Sequence, residues 1–139
     1  MTTPHRLVNP PTMAPATGFA HAVLPAQGQT VYVAGQTASD PSGAIVGGTF
    51  CEQYDVALGN VVEALRHAGG DPADIVSLVV YTTDMKAYRD DRSGVGAAHR
   101  KHLGRHYPAM ALLGVTDLFD ADAMVEIIAT AVIPTTGQP

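Results

Sequence analysis

Tyr107-Pro108-Ala109-Met110-Ala111-Leu112-Leu113, followed by Leu118 and then by Val125-Glu126-Ile127, is the stretch on which the fold of this chain turns. It predicts two closing strands, about Ala109 to Val115 and Met124 to Ile133. The pair Ile127 and Ile128 would send one apolar side chain to each face of a sheet, so both faces need cover. Met110, inside the first of these strands, offers a thioether with no donor and no charge.

Upstream, Thr49 can cap a helix through its hydroxyl, and Phe50, Tyr54, Leu58, Val61, Leu65 and Ala68 recur at spacings of four and three, marking one buried face. Gly69-Gly70 ends it. Asp74 to Asp84, rich in Val, Ile, Thr and Tyr, predicts a strand, and a weaker helix is expected from about Lys86 to Leu103, with Gly104 as its C-terminal cap. Before the first helix, Phe19 to Leu24 and Thr30 to Ala34 read as a hairpin about Gly28, and Asp40-Pro41-Ser42-Gly43 as a type I turn. Pro4, Pro10, Pro11 and Pro15 suit an extended lead-in with one short strand at Arg6 to Asn9, and the chain ends in a Pro/Gly/Thr tail. The order is ββ-α-β-α-ββ. Two helices cannot cover both faces of such a sheet, which predicts an α+β domain with helices on one face and self-association burying the other.

The 139 residues fit a single domain, 1–139, able to bury roughly two thirds of the surface its unfolded form exposes. One cysteine, Cys51, excludes an internal disulfide and a cysteine zinc cluster. No apolar run reaches the roughly 20 residues that span a bilayer, and no continuous apolar core follows Arg6, so the expectation is a cytoplasmic protein without a membrane partner. The net charge of −5 argues against a nucleic-acid partner. Six of the eight basic residues do fall on the second helix or just past its cap (Lys86, Arg89, Arg92, Arg100, Lys101, Arg105), a pattern expected of a solvated face.

Nearly the whole chain resembles the RidA/YjgF family of reactive intermediate deaminases. Gly18-Phe19-Ala20-His21-Ala22-Val23 is similar to the family's Tyr-Ser-His/Gln-Ala-Val, and Val33-Ala34-Gly35-Gln36 to its Val-Ser-Gly-Gln. Gln53, Ala57, Asn60, Leu65 and Ala68-Gly69 match its first helix, while Asp74-Ile75-Val76 and Thr83-Asp84-Met85 bracket its central strand. The resemblance implies the RidA-like, chorismate-mutase-like α+β fold and a homotrimer with three clefts between subunits. It also implies a small-molecule ligand, with no cofactor and no metal.

The site residues depart from that pattern. The family arginine that holds a substrate carboxylate becomes Met110, the cleft tyrosine becomes Phe19, and the serine before the glycine becomes Ala34. Ile128 replaces the glutamate that positions the hydrolytic water, whereas its neighbour Glu126 is kept; an asparagine falls near Gly96 and a tyrosine near His99. By this likeness the substrate-binding positions are Phe19, Ala34, Gly35, Met110, Ala111, Leu112 and Ile128, an apolar pocket with Gly35 its least altered element. Glu126, two residues from Ile128 and so on the same strand face, is the substitute acid, or else one half of an inter-subunit ion pair or hydrogen bond.

Other reactive residues have competing roles. His99, His102 and His106 suggest a metal by count, yet the stop at Gly104 separates the third from the first two and favours packing. Cys51 sits in a first helical turn, where the dipole can lower a thiol pKa, but no base lies nearby in sequence.

Two functions follow. One is hydrolysis of an imine, enamine or related small unsaturated amine, with a neutral, rather apolar substrate favoured because no cation faces position 110. The other is a non-catalytic trimer binding an apolar metabolite or a protein partner. RNA cleavage, attached to relatives, would need a phosphate-gripping cleft that these residues do not supply.

Overall fold

The computed structural model describes residues 2–135, so most of the expected tail, 136–139, lies outside the described residues. Its framework is a four-stranded mixed sheet in the order β3-β6-β4-β5, where β3 is Gly28–Gln36, β4 Ile75–Thr82, β5 Ala109–Gly114 and β6 Val125–Pro134. Strand β6 runs antiparallel to both β3 and β4, and β5 runs parallel to β4 at the edge. The helices α1 (Phe50–His67), α2 (Met85–Asp90) and α3 (Arg92–Leu103) form the second layer, giving the expected α+β architecture.

The first helix begins where its sequence says. Thr49 Oγ1 accepts the Glu52 amide at 3.2 Å, Glu52 sits at the positive end and Arg66 and His67 at the negative end. Tyr54, Leu58, Val61 and Leu65 are fully buried against Ile75, Leu78, Val80, Ile127 and Ala129 of the sheet. Two polar residues of α1 reach past this apolar stripe. Gln53 donates to the carbonyls of Gly47 and Asp122 and accepts the Met124 amide, while Asn60 donates to the carbonyls of Thr37 and Ser39. The helix thereby fixes the chain leaving β3 and the chain entering β6, the two strands that carry Gly35 and Glu126.

Two expectations about local structure are corrected. Phe19 to Leu24 forms no hairpin with Thr30 to Ala34: β2 (Ala22–Leu24) pairs with β1 (Arg6–Val8) in a separate two-stranded ribbon, and β3 pairs with β6. Pro25 has no amide to give to a ladder, and the chain before β2 is drawn to another edge, where the Ala20 amide donates to Pro108 O at 2.9 Å. The second helix is broken at Asp91, whose carboxylate accepts the Gly94 amide at 3.0 Å and starts α3 afresh. Gly104, at φ 60°, ends α3 in a conformation unfavourable to residues with a Cβ.

Helices cover one sheet face only. The other presents Val79, Tyr81, Ala111, Leu113, Ile128 and Tyr32, the last 82% exposed. Such a contiguous apolar surface is unusual on a chain that remains alone in water.

Candidate functional site

The expected site residues fall into two groups. Met110 and Leu112 share a face with the buried Leu78 and Val80, so they look toward the helices and pack against the core. Beside them the outer edge of β5 beyond Ala109 pairs with no strand among the described residues, because the bridge to the preceding segment stops at Ala20 and Ala109. A groove of about 250 Å³ follows this edge, lined by Gly18, Phe19, Tyr88, Met110, Ala111 and Leu112. The pairing of Ala20 with the start of β5 is what brings Phe19 to it. A second hollow of about 160 Å³ shares Thr17, Gly18, Tyr88 and Met110 with the first and continues toward α3.

Ala34, Gly35, Glu126 and Ile128 lie elsewhere. Glu126 pairs across the sheet with Tyr81 and Ile128 with Val79, which places both on the uncovered face. There the register of β3 slips between Val33 and Gln36, a bulge opposite Ile128. Gly35 sits in this bulge with the Glu126 carboxylate folded over it. A Cβ at Gly35 would lie 3.0 Å from Glu126 Cδ and closer still to Oε2, so only glycine admits the carboxylate here. Among the described residues the Glu126 side chain has no hydrogen bond or ion pair, and the residue is half-buried. The sheet itself separates this ledge from Met110. One copy of the chain therefore does not bring the two groups to a common ligand.

The hollow that shares Met110 with the groove brings further side chains, several of them polar, to this position. Alongside Met110 and Val95 it is lined by Tyr54, Tyr88, Tyr107, His99 and Arg92. His99 stacks flat on Tyr107, with ring centres 4.5 Å apart, and its Nε2 bonds to the His106 carbonyl oxygen at 2.7 Å. Burial holds the His99 pKa below the ordinary histidine value, the bond to that carbonyl only partly offsetting it. The Tyr88 phenol is pushed up by burial and drawn back by the charge of Arg92. Sequence reasoning grouped Arg92 with the solvated basic face; its place beside Tyr88 and its spacing of four and seven from Gly96 and His99 were the available signals.

The remaining reactive residues are engaged in structure. His106 Nε2 bonds to Ile75 O at 2.7 Å and His102 Nε2 to Asp55 Oδ1 at 2.6 Å, so the three histidines of the α3 region go to different partners. Cys51 gives its thiol hydrogen to Asp91 Oδ2 at 3.2 Å. Burial and this carboxylate push the thiol up to about 11, overriding the helix dipole that would lower it. His21 Nε2 bonds to Ala14 O at 2.7 Å, a structural tie.

Residues 10–133 match the family model described as endoribonuclease L-PSP. The goat (Capra hircus) 2-iminobutanoate/2-iminopropanoate deaminase is 34% identical over 105 residues, 75% of this chain and 73% of that protein. Among solved structures, YyfB of Yersinia pestis, a protein of the conserved Rid family, superposes with a TM-score of 0.84 at 34% identity, covering 93% of this chain and 98% of its own. RidA from an Antarctic Psychrobacter superposes with a TM-score of 0.66 at 28% identity, over 86% of this chain and 92% of that one.

Proposed function

The chain belongs to the RidA/YjgF family, whose model describes it as endoribonuclease L-PSP, and from that membership we propose that it hydrolyses a small imine or enamine in clefts completed between copies of itself. The observation that supports this reading is the Glu126 carboxylate, half-buried over Gly35 and free of partners among the described residues. Water adds to the C=N carbon, and the π pair goes to nitrogen, which takes a proton. The hydroxyl proton of this adduct then passes to the nitrogen as the C–N bond breaks with its electron pair, leaving a carbonyl and ammonia. Glu126 is suited to take the proton from water and return it to nitrogen, provided a neighbouring copy presents the substrate to the open face. Met110 has no donor with which to orient that substrate, so the family's strand-borne clamp is not part of the chemistry here.

Ile128 favours a second reading, a homotrimer that binds the same class of ligand without turnover. It stands, 36% exposed, where the resemblance puts the water-positioning acid. Ammonia release from freshly generated imines separates the two. Under the hydrolytic reading, Glu126→Gln lowers the rate by about 100-fold or more. An unchanged rate removes Glu126 from the chemistry, and no turnover by the unaltered protein on any imine leaves the binding reading.

A further inference from the structure

We propose that Arg92 is the carboxylate-binding residue of this protein, a clamp carried on a helix in place of one carried on the strand. The inference rests on the proposed function above and takes the hollow at Met110 as the helix-side part of the ligand cleft. It replaces the expectation of a neutral substrate with that of a small 2-imino or 2-oxo acid, or a related carboxylate with a flat unsaturated body.

The placement follows from helix geometry. Residues 92, 96 and 99 of α3 are four and three apart and so share one face, which carries Arg92, Gly96 and His99 into the lining of the hollow that Met110 also lines. Gly96, between the other two, carries no side chain; the guanidinium beside it, 3.3 Å from where a Cβ would stand, is that of Arg100, whereas Arg92 is the arginine that lines the hollow. The break at Asp91 matters as well, because Arg92 becomes the first residue of a new helix and takes its direction from α3. The short α2 ahead of it brings Tyr88 to the same cavity.

Arg92 is also unclaimed by its neighbours. It has no ion pair or side-chain hydrogen bond among the described residues, although two acids precede it directly. Asp90 pairs with Lys86, and Asp91 is held by the Cys51 thiol, the Ser93 hydroxyl and the Gly94 amide. A guanidinium at the mouth of a hollow walled by tyrosines suits a ligand with one anionic end and one apolar, planar end. The charged end would meet a planar fork of donors, and the body would lie against the stacked rings of His99 and Tyr107. The Tyr88 phenol, which feels the charge of Arg92, is a further donor at the same place.

The test is isothermal titration of the full-length protein, in its native assembly, with pyruvate and with the neutral analogue pyruvamide. The proposal expects pyruvate to bind more tightly than pyruvamide. Arg92→Met should weaken pyruvate by about 10- to 100-fold and leave pyruvamide unchanged, with Arg92→Lys intermediate because it keeps the charge but loses the fork. Arg92 is exposed, so circular dichroism and sedimentation should show these variants folded and assembled as the parent. If both ligands bind but Arg92→Met affects neither, the hollow is a ligand site and Arg92 is not its clamp. If neither ligand binds the parent, both the clamp and the underlying reading of the hollow are overturned.

Discussion

At the scale of single residues, the polar groups that matter lie where burial or close approach constrains them. Glu126 can fold over β3 only because position 35 is glycine, and sequence resemblance singled out both without showing that they touch. His99 and His106 are buried, and burial lowers the pKa of each, with a carbonyl bond partly opposing it. A histidine that is harder to protonate when folded makes the unfolded chain the better proton binder once pH falls below the ordinary value of 6.5. The stability they contribute is therefore complete above that value and is lost as pH drops through their lowered pKa values. The Asp91 carboxylate, held down chiefly by the Cys51 thiol and the Gly94 amide, acts only in the more acidic window below 3.8. Urea unfolding followed from about pH 7 to pH 5 should show a falling midpoint. A midpoint constant over that range would mean that the two rings protonate as easily folded as unfolded.

At the scale of elements, α1, β4, β5 and β6 were legible because each has a strong local pattern: a capped apolar stripe in α1, and β-branched runs bounded by turn residues in the strands. The hairpin was misread because pairing partners are a tertiary choice. An alternating run such as 19–24 fits any open edge, and it was divided between β1 and the start of β5. Gln53 shows the opposite case, a polar residue on the buried face of α1 whose purpose is visible only with its partners in place. It holds Gly47, Asp122 and Met124 together, and replacing it by alanine removes a buried side chain and three partly buried hydrogen bonds at once. Gln53→Ala should cost about 2–4 kcal/mol by chemical denaturation, several times a typical surface change. A loss below about 0.5 kcal/mol would show that these contacts do not hold the approach to β6.

At the scale of the whole molecule, the candidate site is divided by its own sheet. The Phe19–Met110 groove and Arg92 lie toward the helices, and the Glu126–Gly35 ledge lies on the apolar open face. Strands apolar at both parities announced the need for a partner, but sequence could not show that the two halves of the site occupy opposite sides of one layer. The proposed homotrimer would answer both facts if covering the open face also brought the ledge of one copy to the groove of the next. The direct test is to place cysteines at Met110 and Ile128 in a Cys51→Ser background and treat the assembled protein with a short bismaleimide. The account predicts covalent links between copies, up to a closed trimer on a denaturing gel. Chains that remain monomeric, alone or linked internally, would contradict it.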